Sequence, residues 1–208
     1  MAARDATATP GEGSPSPGSK QARILEAAAD AFMELGYGGT SMDEITRRAG
    51  VSKATVYAYF AGKEELFAQV VGRACRQAFE GAMAGSADDV GAALLAIATR
   101  YGRLLLSPRT LAIYRTVVAE APRFPELGRL FYEAGPARVR AVIAGLLERA
   151  AARGELSVPD PLAAAERFFG MMAGHSHLRA VLGIPQPERA ETPEEVVRRF
   201  LRAYAPER

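Results

Sequence analysis

The 208-residue chain has no tryptophan, one cysteine, two histidines and three lysines, and each shortage excludes a class of protein. A single cysteine, Cys75, rules out an intramolecular disulfide framework. His175 and His177 lie two apart on a predicted helix and point to nearly opposite sides, so no shared metal ion is expected. No run of about eighteen uncharged apolar residues marks a membrane span. Residues 1–19 are rich in Ala, Thr, Pro, Gly and Ser and lack the apolar core of a secretory signal, so they read as a disordered tail and the expected compartment is the cytoplasm. There is no phosphate-loop glycine pattern and no Ser/His or Cys/His arrangement of recognised spacing, so neither an enzyme nor a bound cofactor is expected. No stretch alternates like a strand. The fold class is therefore all-α, with about nine helices.

What remains is an ordinary globular composition, 49% apolar and 24% charged, with a net charge of only +2. Any nucleic-acid contact must then come from a local patch. One exists: Thr46 to Lys63 holds Arg47, Arg48, Lys53 and Lys63 and no acid, with two of the three lysines of the chain. The local pattern there is two short helices and a tight turn. Ser41 can cap the first helix, and Glu44 three residues on would complete a capping box. Gly50 sits where a left-handed residue is needed, and Ser52 can cap a second helix that carries Val56 and Phe60 inward. This is a helix-turn-helix arrangement, whose second helix is the one that enters a major groove. Such a pair cannot bury its own core, so a preceding helix over 20–35 should supply Phe32 and Leu35 against Ile45, Val56 and Phe60.

Gly50-Val-Ser-Lys-Ala-Thr-Val-Tyr-Ala-Tyr-Phe-Ala-Gly-Lys-Glu-Glu-Leu66 resembles the DNA-binding signature of the tetracycline-repressor (TetR) family, and the likeness covers about residues 20–67. Glu120-Ala-Pro-Arg-Phe-Pro-Glu-Leu127 with Phe131-Tyr-Glu-Ala-Gly135 is similar to C-terminal domains of the AefR-like or AcrR-like type. The resemblance implies double-stranded DNA with a palindromic operator as partner. It implies phosphate contacts from Ser41, Tyr57, Tyr59 and Lys63, and bases faced by Ser52, Lys53, Ala54 and Thr55. Ala58 departs from relatives with a bulkier residue there, which puts one backbone contact in doubt. The implied function is a repressor released when a small molecule binds the C-terminal domain; a helical dimer that sequesters a ligand or protein without operator binding is the alternative.

The domain organisation expected is 1–19 tail, 20–66 DNA-binding domain and 67–208 ligand-binding and dimerisation domain. A helix from Lys63 to about Met83 joins the two, and in the family it relays ligand binding. Pro and Gly punctuation predicts further helices over 88–106, 109–121, 125–153 with a kink at Pro136, 160–182 and 193–204. The last two would form the homodimer interface, as in the family. Tyr101, Leu105, Tyr114 and Val117, with Phe131, Tyr132, Phe168, Phe169, Met171 and Met172, are the candidates for lining a pocket for an apolar or aromatic effector. Buried tyrosines need partners for their hydroxyls, so Tyr101, Tyr114 and Tyr132 should orient any polar atoms of the ligand.

Overall fold

The structure is a computed structural model that describes residues 18–79, 89–188 and 191–206. Nearly all of the expected tail, and the expected end of the joining helix near Met83, lie outside these residues. Ten helices run through the described chain, with no strand among them. α1 (Lys20–Gly39) begins at Ser19, whose hydroxyl accepts from the Ala22 amide at 3.1 Å. Its last turn is broken at Gly36 (φ 72°, ψ 173°), a conformation that L side chains rarely adopt. α2 (Met42–Ala49) and α3 (Lys53–Tyr59) follow, separated by Gly50 in the left-handed region (φ 61°) and capped by Ser41 and Ser52. α4 (Lys63–Phe79) leads away from this head, and α5 (Val90–Leu105), α6 (Pro108–Glu120), α7 (Pro125–Ala134), α8 (Pro136–Ala152), α9 (Pro161–Val181) and α10 (Pro193–Ala203) form the body.

Most boundaries lie close to the punctuation, and one expected helix divides. The segment over 125–153, expected to kink at Pro136, is two helices, because Gly135 leaves helical geometry (φ −116°, ψ −91°) and the proline starts a new one. α9 is also interrupted, at Gly174 (φ 38°, ψ −147°). α10 opens with a capping box in which Thr192 and Glu195 satisfy each other's backbone amides.

Two apolar cores hold the fold. The first joins α1–α4 to α6 and α7 through Ile24, Phe32, Tyr37, Ile45, Val56, Phe60, Phe67, Ile113, Val117 and Leu127. The second joins α5 to α8, α9 and α10 around Leu94, Ile97, Ile143, Leu147, Phe168 and Phe200. Leu35 is not where the apolar stripe predicts: it is 44% exposed, because the helix breaks one residue later and Tyr37 takes the interior place, 1% exposed. The Tyr37 ring packs on Phe32, Phe67 and Phe124 at centroid distances of 5.8, 5.5 and 5.6 Å. No single helix among the described residues is long and apolar enough to cross a membrane; α5 and α6 pass the composition test only together, bent by 66°.

Candidate nucleic-acid interface and effector cavity

The exposed face of α3 is built from what its buried face does not need. Val56 and Phe60 point into the core, leaving Ser52, Lys53, Ala54, Tyr57, Ala58 and Tyr59 exposed and Thr55 half-buried. The seven-residue helix is about 10 Å long, a fit for a major groove about 12 Å wide. The turn before it is clamped from behind, since the Arg23 guanidinium donates to the Ala49 and Gly50 carbonyls at 2.7 and 3.2 Å and satisfies the free end of α2. Ser41 and Ser52 are exposed at the helix starts, their hydroxyls accepting from the Glu44 and Thr55 amides; Ser52 and Thr55 hydroxyls also lie 2.8 Å apart.

The basic run is less basic in space than along the chain. Glu44, expected to close a capping box with Ser41, turns instead to Arg47 and Arg48 with N–O distances of 2.7–2.9 Å. Hydrogen bonds from Arg47 and then Arg48 pull its carboxyl down to about 2. Arg48 also meets Glu34, and Lys53 meets Asp43, each at 2.7 Å. The hydrogen bond that Lys53 donates to Asp43 raises the ammonium above its ordinary value. Asp43 and Glu44 lie just before the acid-free stretch, and Glu34 reaches it from α1.

Lys63 also departs from its expected surroundings. Its ammonium donates inward to the Tyr37 and Thr40 carbonyls at 2.9 and 3.1 Å and sits 4.3 Å from the Tyr37 ring centroid. It ties the end of α1 and the approach to α2 onto α4, a positioning task that spends two of its three donors. The Tyr37 hydroxyl donates to Glu64 at 3.1 Å, and burial, followed by Glu64, raises its pKa.

The same turn is held from the body by Glu120, a residue that sequence reasoning did not single out. Its carboxylate accepts from the backbone amides of Tyr37 and Gly38 at 2.7 and 2.5 Å. Glycine is required for this approach: a β-carbon at Gly36 would overlap the Glu120 carboxylate, and one at Gly38 would lie 3.0 Å from it. An acid as the last residue of a helix is electrostatically unfavourable unless something else receives it, and that anomaly was the available signal.

α6, which carries Glu120, is also one wall of a cavity of about 460 Å³. Tyr101 and Leu105 from α5, Tyr114 and Val117 from α6, Phe131 and Tyr132 from α7 and Phe169 from α9 all line it, together with Val71, Ala74 and Cys75 from α4. Among the described residues, no carboxylate, ammonium or guanidinium group does. Three other candidates belong elsewhere. Phe168 is fully buried against Phe200, 4.9 Å between centroids, on the opposite side of α9. Met172, with Met171, lines a separate groove toward residues 186–196. His177 is in the cavity wall, edge-on to Tyr114 at 4.9 Å, with Nδ1 buried and lacking a hydrogen-bond partner; burial lowers its pKa against a backbone hydrogen bond with Leu105. His175 is exposed, and no group of three potential metal ligands occurs among the described residues.

Residues 24–70 match the profile of bacterial regulatory proteins of the tetR family, and residues 92–206, more than half of the chain, match the C-terminal domain of AefR-like transcriptional repressors. A TetR-family regulator structure from Mesorhizobium loti shares 33% identity, with 89% of this chain and 96% of that one covered and a TM-score of 0.72. The flavonoid-responsive regulator FrrA shares 35% over 92% of this chain and 100% of its own, TM-score 0.69. Among curated relatives, the transcriptional activator FasR of Mycolicibacterium smegmatis is 43% identical over 54 residues, 26% of this chain and 25% of FasR. A transcriptional repressor of Streptomyces coelicolor is 41% identical over 71 residues, 34% of this chain and 31% of the relative. The chain thus spans only a quarter to a third of the length of these curated relatives.

Proposed function

The chain belongs to the TetR family of DNA-binding transcriptional regulators, and from that premise we propose that it is a homodimeric repressor released from a palindromic operator by an uncharged, largely aromatic small molecule. The observation that carries this reading is the double duty of α4 and α6. Both line the apolar cavity, and both grip the broken last turn of α1, through Lys63 and Glu120. A ligand that favours a different seating of α6 would also favour a different seating of the head, and only such differential affinity can shift the operator-bound population.

The cavity lining supports the ligand class. With no ionic group facing it, a charged ligand would lose hydration without compensation, whereas tyrosine hydroxyls and Thr110 offer hydrogen bonds to a few polar atoms. FrrA is a flavonoid-responsive regulator by name, so planar polyphenols are the first compounds to test. For DNA, Tyr57 and Tyr59, 47% and 45% exposed, are placed to donate to phosphates with Ser41, while Lys53, Ala54, Thr55 and Ser52 face base edges. Lys63 contributes chiefly by holding the head, with its remaining donor open to a phosphate. Leu162, Leu178 and Leu182 on and just beyond α9 are more than half exposed, which suits burial at a two-fold interface built by α9 and α10. This reading gives the chain no catalytic role.

Selection of bound duplexes from a random pool at two salt concentrations tests the DNA half. An inverted repeat is expected; weak, sequence-independent binding that disappears at the higher salt would overturn it. Release of the selected operator by polyphenols then tests the effector half.

A further inference from the structure

Among the described residues that line the apolar cavity, Val118 of α6 and Tyr132 of α7 are exposed, at 56% and 48%, while all the others are buried or half-buried. The cavity therefore reaches solvent between these two helices. The opening is a slot, because α6 and α7 close on each other at one end: a β-carbon at Gly128 would lie 3.6 Å from that of Ala121, an ordinary contact distance. At the other end stands the Tyr132 ring, and it is held from outside the cavity. The Arg140 guanidinium of α8 lies over it, 5.9 Å from the centroid, and Arg140 is itself paired with Glu166 of α9. An exposed tyrosine on its own exchanges rotamers within nanoseconds; this one is braced by two further helices. Cys75 of α4 lies just inside, since a β-carbon at Gly135, three residues after Tyr132, would be 3.4 Å from its sulfur.

We infer that this slot is the entrance to the cavity and that Tyr132, latched by Arg140, selects what passes by thickness: flat aromatic rings go through edge-on, and puckered or branched groups of the same size are held back. The inference rests on reading the cavity as the effector site, and it makes Tyr132 a specificity-determining residue of that site. A volume of about 460 Å³ is within the usual range for small-molecule sites and has room for either shape. Discrimination therefore falls on the entrance, where the aromatic face of Tyr132 stacks with a planar ligand and not with a puckered one. It is seen as a difference in rate of access.

The test measures access to Cys75, the only cysteine of the chain, in the full chain with neither effector nor DNA, so that its failure is separable from failure of the effector or operator reading. N-phenylmaleimide and N-cyclohexylmaleimide are uncharged and of equal carbon number, one flat and one puckered. Each rate on the folded chain is divided by the rate in denaturant. The ratio of the two quotients cancels the reactivity of the thiol itself. In the parent the phenyl reagent should lead by about tenfold or more. Tyr132→Ala, at an exposed position, should bring the ratio near one, and Tyr132→Phe, which keeps the ring, should preserve it. Arg140→Met should lower it about two- to fivefold, the effect of losing one exposed cation–π contact; an unmoved ratio there would overturn the latch. A ratio near one in the parent would overturn the inference, since both reagents would then reach Cys75 through opening of the fold. So would a ratio that survives Tyr132→Ala, which would place the discrimination away from the slot.

Discussion

At the scale of single residues, the ion pair between Lys53 and Asp43 sets how much the candidate base-reading lysine can contribute. The pair is exposed on both sides, so it adds little to the stability of the free protein, yet it must break before Lys53 can meet a base edge. Asp43→Ala removes that competitor and one negative charge near the phosphates, and should tighten operator binding. Lys53→Ala should weaken binding by about 1 to 3 kcal/mol and relax specificity at one position if Lys53 reads a guanine. Anisotropy titrations at fixed salt measure both; a weakened Asp43→Ala variant would mean that Asp43 serves the DNA complex. Cys75 supplies a separate readout. Burial pushes its thiol up to about 11, so its thiolate fraction near neutral pH is about a hundredfold below that of an unperturbed cysteine. Alkylation of the folded chain should be correspondingly slow and become fast in denaturant. Because Cys75 is the only cysteine and lines the cavity, a bound effector should slow it further.

At the scale of elements, α6 gathers the connections. Arg109 near its start meets Glu26 of α1, Arg115 donates to the Ala180 and Val181 carbonyls at the end of α9, and Glu120 at its last position holds the Tyr37 and Gly38 amides. Glu120→Ala would leave those amides without their acceptor and should cost operator affinity with little change in the second core. Hydrogen exchange is the direct measurement: amides over 36–40 should lose protection, while those of α8 and α10 keep theirs. Unchanged exchange at Tyr37 and Gly38 would remove Glu120 from the coupling. The helix-turn-helix was legible because caps, the left-handed Gly50 and inward Val56 and Phe60 are local signals. Seven of the ten pocket positions proposed from sequence line the cavity, six of them because apolar residues spaced along α5 to α7 share one side. Phe168 and Met172 were not separable from them, because facing depends on how α9 packs between two neighbours. The Glu120 grip and the inward turn of Lys63 are contacts between residues 83 and 26 positions apart, and no local pattern encodes such a pairing.

At the scale of the whole molecule, charge bookkeeping bears on how the dimer would hold DNA. The chain carries a net charge of +2, and within the head Arg47, Arg48 and Lys53 are each met by a carboxylate, while Lys63 is turned inward. The phosphate donors proposed for α3, Tyr57 and Tyr59, are neutral hydroxyls, which bond to phosphate without releasing a counterion. Few phosphates are then neutralised per subunit, about one or two through Arg47 and Lys53. For a dimer this gives a slope of log affinity against log salt of about −2 to −4, from about 0.9 per neutralised phosphate. Affinity would depend correspondingly more on hydroxyl and base-edge contacts, so specificity should persist as salt rises. The measurement is an operator titration from low to moderate salt. A slope as steep as about −5 would mean that Arg47, Arg48 and Lys53 all abandon Glu44, Glu34 and Asp43 for phosphates on binding, and the Asp43→Ala variant would then show a slope no different from the parent because Lys53 is already free in the complex.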